Sequence, residues 1–264
     1  MSKKTKTRLD QLLVKKNLVE SRSKAQALIM AGKVFVGKEK IDKAGTLVSE
    51  DTEISITQDM PYVGRGGLKM EKAIKEFNLN VANKVCLDVG ASTGGFTDCL
   101  LQNGAKKVFC VDVGYGQLHY KLRNDERVVN FERENFRHFD LTKITDPIDL
   151  VVMDVSFISV KKLIPKIVEI FAIHTSDQPF DLAQGDRPAT SDIIILIKPQ
   201  FEAGPDKVGK GGIVRDEAVR EEVVRDISEF LITQGFQNLH ITQSPIKGQD
   251  GNVEYLMWGK ILQR

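Results

Sequence analysis

The middle and C-terminal parts of the chain alternate short apolar runs with segments whose apolar residues recur at helical spacing. The apolar runs are KVCLD, KVFCVD, DLVVMD and IIILIK, and each has the length of a buried strand. Strands that alternate with helices form a parallel sheet with both faces covered. The pattern therefore predicts an α/β domain with a Rossmann-like sheet.

The first 60 residues have a different pattern and predict a small α+β unit. Two stretches show helical periodicity, and Ser21 is placed as the N-cap of the second helix, which Gly32 ends. KVFVGKEKI then predicts a strand, a turn at Gly37 and a returning strand. The apolar positions of the two helices are Leu9, Leu12, Leu13, Ala25, Leu28 and Ile29.

A proline-containing stretch, QDMPYVGRGG, joins this unit to the rest of the chain. The following GLKMEKAIKEF predicts an amphipathic helix with Leu68, Ile74 and Phe77 among its apolar positions. The predicted organisation is a unit over residues 1–60, a linker and helix over 61–80, and a sheet domain over 81–264. Within that domain, residues 175–191 are polar and contain prolines, so they predict a surface insertion.

The charge of the chain is unevenly distributed. The whole protein of 264 residues has a formal net charge of +2, but residues 1–50 carry 12 Lys/Arg against 5 Asp/Glu. Basic clustering in one small unit favours a polyanionic partner, although a solvated basic surface has the same composition. The chain shows no signal peptide and no apolar run long enough to span a membrane, so we expect a cytoplasmic protein.

The stretch CLDVGASTGGFTD is a glycine-rich turn that follows the first strand. It lacks the G-x-G-x-x-G spacing of a dinucleotide site and the Gly-Lys-Ser/Thr of a nucleoside triphosphate site, so a nucleoside ligand without phosphates fits best. S-adenosylmethionine is such a ligand; the alternative is a tight strand-to-helix connection without a ligand. The expected cofactor-binding residues are Asp88, Gly90, Ser92, Gly94, Gly95, Asp112 for the ribose, and Asn135 with Phe136 for the adenine.

Four further residues are expected to gather at the same edge of the sheet. Asp154 and Lys198 end neighbouring strands, and a final strand begins near Glu254. If that strand is antiparallel, its start lies where the parallel strands end. Lys69, on the helix before the first strand, is the fourth candidate.

In this order, the four residues resemble the Lys-Asp-Lys-Glu tetrad of FtsJ-like RNA 2′-O-ribose methyltransferases. The N-terminal unit resembles the S4 domain, an RNA-binding module. Taken as a whole, the chain closely resembles the TlyA family, whose members are often labelled hemolysin A. The stretches that carry this resemblance are GRGGLK, LDVGASTGGFTD, DLVVMDVSFIS and IKPQFEAG. The resemblance implies an rRNA (cytidine-2′-O)-methyltransferase that uses S-adenosylmethionine and acts on ribosomal RNA or ribosomal subunits. It implies RNA contacts through Arg8, Arg22, Lys24, Lys33 and Arg65.

The chemistry leaves two roles open for Lys198. As a base it would take the proton of a ribose hydroxyl, but a free lysine with a pKa near 10.4 is almost wholly protonated at neutral pH. Alternatively, the carboxylates orient Lys198, Lys69 steers phosphate or ribose, and the rate comes from proximity and alignment. No metal is expected, because the four histidines have no ligand spacing.

Three other functions compete with the main one. The first is a methyltransferase of small metabolites whose N-terminal unit is only a basic surface. The second is a membrane-active hemolysin, against which the lack of a membrane-spanning or strongly amphipathic free segment argues. The third is a ribosome-binding protein whose methyltransferase fold is inactive.

Overall fold

The computed structural model describes residues 6–57, 60–173, 190–248 and 250–262. The chain divides into two compact units, Met1–Met60 and Pro61–Arg264. Of the predicted insertion at 175–191, residues 175–189 lie outside the described residues. Its last two residues, Thr190 and Ser191, belong to a strand, so there the prediction is wrong.

The first unit packs two helices on short strands. Its elements are β1 (Lys6–Arg8), α1 (Leu9–Lys15), α2 (Arg22–Met30), β2 (Val34–Val36), β3 (Glu39–Ile41), β4 (Leu47–Ser49) and β5 (Ile54–Ile56). Strands β3, β2 and β5 form one antiparallel sheet, and β1 pairs with β4. Ser21 caps α2 by accepting a hydrogen bond from Lys24 N, as predicted. The buried core is Leu9, Leu12, Leu13, Ala25, Ile29, Val34 and Val48.

The second unit contains a seven-stranded sheet in the order β11-β12-β10-β9-β6-β7-β8. The strands are β6 (Val85–Val89), β7 (Lys107–Asp112), β8 (Val128–Glu132), β9 (Leu150–Met153), β10 (Thr190–Ile197), β11 (Phe236–Gln243) and β12 (Tyr255–Leu262). Strands β6 to β10 run parallel, and β12 is antiparallel to both of its neighbours. The α/β fold class predicted from the alternating pattern is confirmed.

Helices cover both faces of this sheet. They are α3 (Gly66–Glu76), α4 (Gly95–Gln102), α5 (Tyr120–Arg123), α6 (Ile164–Ile173), α7 (Pro199–Glu202) and α8 (Glu217–Thr233). Val85, Leu87 and Val89 of β6 pack in the core with α6 and α8, whereas Cys86 packs in the core with α3, α4 and α5. Because side chains alternate along a strand, Asp88 lies on the same face as Cys86, beneath α4.

Helix α3 packs its expected apolar residues against the core, but its most deeply buried residues are others. Met70 and Ala73 are fully buried and Lys69 is nearly so, whereas the expected Leu68, Ile74 and Phe77 are only partly buried. The buried stripe faces α4, which approaches closely because both helices begin with glycine. A Cβ on Gly95 would lie 2.8 Å from Gly67 N and 3.0 Å from Gly66 Cα.

We predict that Gly95→Ala destabilises the protein by about 1–3 kcal/mol, because the added methyl group overpacks the contact between α3 and α4. Gly204→Ala is the matched control, since a Cβ there meets no atom within 4 Å. The measurement is chemical denaturation of both variants without ligand. Equal stability of Gly95→Ala and the wild type would contradict this account of the helix contact.

Candidate active site

The strand order reverses between β6 and β9, which is where open α/β sheets bind ligands beyond the carboxyl ends of their strands. Asp154 follows β9 and Lys198 follows β10 at this edge. Residues Ile197 and Tyr255 pair in the antiparallel register of β10 and β12, so Glu254, just before β12, lies next to Lys198 along the edge. Helix α3 packs against α4 and β12, and it brings Lys69 to the same place.

The four side chains form a line of alternating charge. Lys198 Nζ lies 2.6 Å from Asp154 Oδ1, Lys69 Nζ lies 3.9 Å from Asp154 Oδ2, and Lys69 Nζ lies 2.7 Å from Glu254 Oε2. Their side chains are largely buried, from 3% exposed at Glu254 to 21% at Asp154. Buried charges need opposite partners, so removing one of the four would leave the other three with an uncompensated net charge.

The backbone of the glycine turn packs closely against the backbone of Asp154, one of the four charged residues. Gly90 has a φ of 84°, and a Cβ there would lie 2.6 Å from the carbonyl oxygen of Asp154. Gly94 has a φ of 91°, and its Cβ position is filled by Leu118 and Leu122. Both glycines are therefore required by a left-handed backbone and by packing inside the protein, whatever ligand the turn holds.

Asp88 is a fully buried carboxylate at the N-terminus of α4. Its Oδ2 accepts hydrogen bonds from Thr97 N at 3.1 Å and Thr97 Oγ1 at 2.6 Å. Its Oδ1 is buried and accepts no hydrogen bond from the residues that the structure describes. Burial raises the pKa of Asp88 to about 7, and the bonds from Thr97 oppose this shift.

A cavity of about 330 Å³ lies in front of these groups. Of the residues expected from the sequence, those that line it are Arg65, Lys69, Asp88, Gly90, Ser92, Gly95, Asp154, Lys198 and Glu254. The cavity therefore joins the glycine turn to the line of charges, and a bound molecule can touch both.

Four expected cofactor residues lie elsewhere. Phe136 is buried in the core beside Phe139, and Asn135 accepts a hydrogen bond from Arg137 N, so neither lines the cavity. Gly94 packs against α5, as described above. Asp112 accepts hydrogen bonds from Ser92 N at 2.8 Å and Gly114 N at 2.7 Å, so in the structure its carboxylate supports the turn.

The cavity is also lined by residues that were not expected from the sequence, among them Ser156, Phe157, Gln200 and Phe201. Phe157 is 91% exposed, has a φ of 63°, and its ring lies 5.0 Å from that of Phe201. Ser156 Oγ accepts a hydrogen bond of 2.9 Å from Lys198 Nζ. Their positions in the sequence could have indicated them. Ser156 and Phe157 follow closely after Asp154 in DVSFIS, and Gln200 and Phe201 follow closely after Lys198 in IKPQFEAG.

One further residue fastens the segment after Asp154 to the segment after Lys198. Glu202 Oε2 accepts a hydrogen bond from Ser159 Oγ at 2.6 Å, and Glu202 Oε1 accepts one from Val160 N at 2.8 Å. Burial raises the pKa of Glu202, and these bonds oppose the shift. Together with the bond from Lys198 to Ser156, these contacts fix the backbone on both sides of Phe157.

The expected RNA-binding residues of the first unit are basic groups at its surface. Arg8 and Arg22 are about half exposed and pair with Asp10, Lys24 is exposed on α2, and Lys33 is partly buried before β2. In the described ranges, no group of three or more His, Cys, Asp or Glu side chains is arranged to hold a metal ion. No helix among the same residues has the length and apolarity to cross a membrane.

The residues present fit S-adenosylmethionine. A buried carboxylate oxygen without a donor, Asp88 Oδ1, lies at the cavity and suits the ammonium group of the methionine end. Ser92 and Thr93 of the turn are exposed and line the cavity, so this part of the turn can contact a nucleoside. The carboxylate of Asp112, through its bond to Ser92 N, keeps that turn in place.

Comparison with known proteins gives consistent similarities. Residues 62–261 match the family described as FtsJ-like methyltransferase, and residues 7–54 match the S4 domain. The chain is 45% identical to hemolysin A of Brachyspira hyodysenteriae over 94% of this chain and 98% of that protein. It is 40% identical to the 16S/23S rRNA (cytidine-2′-O)-methyltransferase TlyA of Mycobacterium tuberculosis, over 96% of this chain and 89% of that protein.

A solved structure is similar over almost the whole chain. It is described as a candidate hemolysin from Streptococcus thermophilus, and it matches with a TM-score of 0.70 and 38% identity. The match covers 98% of this chain and 90% of that chain.

We predict that Asp88→Asn gains stability relative to the wild type as the pH rises. The pKa of Asp88 is raised from 3.8 to about 7 on folding, so ionising it costs nothing below about pH 4 and costs most above pH 7. The difference in unfolding free energy between variant and wild type should therefore grow by about 4 kcal/mol from pH 4 to pH 8. Urea denaturation without ligand at several pH values measures it, and a difference independent of pH would contradict the prediction.

Proposed function

This chain belongs to the FtsJ-like methyltransferase family, and from that membership we propose that it methylates the 2′-hydroxyl group of cytidine in ribosomal RNA. S-adenosylmethionine is its methyl donor. The observation that carries the proposal is the meeting of Lys69, Asp154, Lys198 and Glu254 beside a cavity bordered by the glycine turn.

Bound S-adenosylmethionine supplies an electrophilic methyl group on a sulfonium sulfur. Lys198 Nζ lines the cavity and is fixed by Asp154 Oδ1 and Ser156 Oγ. In the proposed step the neutral amine of Lys198 takes the proton of the ribose 2′-hydroxyl while the oxygen forms its bond to the methyl carbon. The bond from that carbon to sulfur breaks at the same time, and its electron pair leaves with sulfur as a neutral thioether. The resulting ammonium group is then paired with Asp154, which stabilises the charge that develops.

The other two charged groups position Asp154. Lys69 lies between Asp154 and Glu254, so Asp154 has an ammonium group on each side. With Lys198 neutral, the pairing of Lys69 still holds the Asp154 carboxylate in place. Lys69 and Glu254 therefore act through Asp154, by keeping Lys198 aligned with the reacting hydroxyl.

The exposed ring of Phe157 suits a nucleobase. A non-glycine residue with a positive φ carries strain, and such strain persists where the surroundings fix it. Here the bond that Ser156 accepts from Lys198 and the bonds that Glu202 accepts fix the backbone on both sides, and Phe201 supports the ring. An aromatic face beside Lys198 offers stacking to the base of the target nucleotide, which would place its ribose at the lysine.

The S4 domain and the relatives support RNA as the class of substrate. The basic first unit offers arginine and lysine side chains for phosphates, which position a protein on RNA without reading its sequence. The mycobacterial relative is named for cytidine in 16S and 23S rRNA, and we propose ribosomal subunits or their RNA as the substrate here. The proposal places the enzyme in the cytoplasm, where that substrate is found.

The first competing function, a methyltransferase of small metabolites, differs from the proposed function in its substrate. It predicts methyl transfer to small molecules that survives removal of residues 1–60. An inactive ribosome-binding protein would fail to bind S-adenosylmethionine. A membrane-active hemolysin would release the contents of liposomes. Binding of S-adenosylmethionine and leakage from liposomes can both be measured beside the transfer assay.

We predict that Lys198→Ala lowers the rate of methyl transfer to rRNA by about a thousandfold, because the step loses its base. The assay follows tritium from S-adenosylmethionine into ribosomal subunits, naked rRNA and free nucleosides. Lys75→Ala is the control, since Lys75 is an exposed lysine paired only with Glu71 in the described contacts. Unchanged transfer by Lys198→Ala would remove this residue from the mechanism.

We predict that Phe157→Ala lowers kcat/KM for rRNA by about 5- to 150-fold, the value of one stacked base, and leaves the affinity for S-adenosylmethionine unchanged. Phe157→Trp should restore most of the activity, because it restores an aromatic face. Ile232→Ala, which truncates an exposed apolar side chain on α8, is the control. Full activity of Phe157→Ala would show that this ring has no part in substrate binding.

A further inference from the structure

In the first unit, a buried carboxylate ties two exposed arginines together. Asp10 has no exposed surface, whereas the Arg8 side chain is 41% exposed and that of Arg22 is 52% exposed. Asp10 accepts hydrogen bonds from Arg8 Nε at 3.1 Å and Arg8 Nη2 at 3.0 Å, and from Arg22 Nε at 2.9 Å. It also accepts bonds from Gln26 Nε2 and Gln11 N, both at 3.0 Å.

This arrangement joins residues from separate elements. Arg8 ends β1, Asp10 lies in the first turn of α1, and Arg22 begins α2. The bonds from Arg8, together with those from Gln26 and Arg22, hold the pKa of Asp10 well below its usual range, although burial opposes them. Asp10 is therefore an anion at any working pH, and it fixes both guanidinium groups at one place on the surface.

Stability of the fold alone does not account for this cluster. Burying a carboxylate costs solvation, and apolar replacements of buried ion pairs are often neutral or stabilising. The cluster keeps a net charge of +1 at the surface of a unit that already has an apolar core. Arg8 Nη1 and the two Nη groups of Arg22 make no bond to Asp10, so they retain N–H donors for a ligand.

We propose that Asp10 is a positioning residue that holds Arg8 and Arg22 as a preorganised pair for RNA phosphates. The proposal rests on the proposed function, since it assigns RNA as the partner of the first unit. An arginine side chain loses much rotational freedom when it binds, and here the bonds to Asp10 remove that freedom on folding instead. The free edges of the two guanidinium groups match the paired oxygens of a phosphate.

The substitution Asp10→Asn separates this proposal from simple charge attraction. It makes the protein more positive by one charge, so attraction alone predicts tighter RNA binding. Positioning predicts weaker binding, because a neutral amide holds two guanidinium groups poorly. Asp42→Asn makes the same change of charge at an exposed residue of the same unit, and it is the matched control.

The experiment measures binding of the full-length protein to an rRNA transcript from about 50 to 250 mM salt, a range in which phosphate neutralisation changes affinity strongly. For Asp10→Asn we expect affinity at least about tenfold lower and a slope of log K against log salt smaller by about 0.7 to 0.9 for each phosphate that the protein no longer neutralises. At saturating RNA, kcat should be unchanged, KM should rise, and the Kd for S-adenosylmethionine should stay the same. Asp42→Asn should bind RNA as tightly as the wild type or slightly more tightly.

A second pair of variants keeps the proposal testable if Asp10→Asn lowers Tm. Arg8→Lys and Arg22→Lys preserve both charges but lack the planar fork, so we expect each to weaken RNA binding about three- to tenfold, because a lysine cannot bind phosphate in the bidentate way. RNA binding by folded Asp10→Asn that equals or exceeds that of the wild type would overturn the proposal, as would full affinity of both lysine variants. Failure of the proposed function appears differently: the wild type would bind RNA without methylating it, while Asp10→Asn still bound it less tightly.

Discussion

Lys69, Asp154, Lys198 and Glu254 lie side by side because a charge removed from water needs an opposite charge within reach. Each comes from a different element, so the pairing constrains α3, β9, β10 and β12 together. The register of β10 with β12 places Lys198 beside Glu254. The close packing of α3 on α4 places Lys69 between Asp154 and Glu254. The fold of the second unit and its proposed chemistry therefore depend on the same ion pairs.

The interior of the sheet was predictable from the sequence, and its edges were not. Four central strands are continuous apolar runs, because both of their faces are buried. Strands β8 and β11 escaped prediction because they are the two edge strands, and β11 carries mostly exposed polar residues. The depth of burial along α3 depends on which helix lies opposite, which periodicity alone does not indicate.

The residues of the candidate site were also only partly predictable from the sequence. Residues at strand ends, such as Asp154 and Lys198, were predictable because parallel strands share one edge. Asn135 and Phe136 were expected at the cofactor, but Phe136 is part of the core, and a short apolar stretch does not reveal which side of a loop it serves. Phe157 was missed because its exposure depends on a loop fixed by Glu202, a residue 45 positions away in the chain.

The most direct test of the central claim is a double-mutant cycle on the methyl-transfer rate, with Lys69→Met, Glu254→Gln and the pair combined. If these side chains act as one unit that positions Asp154 and Lys198, the double variant should be about as slow as the slower single variant. If their effects on kcat multiply independently, the four charges do not work as a single catalytic group, and the account fails.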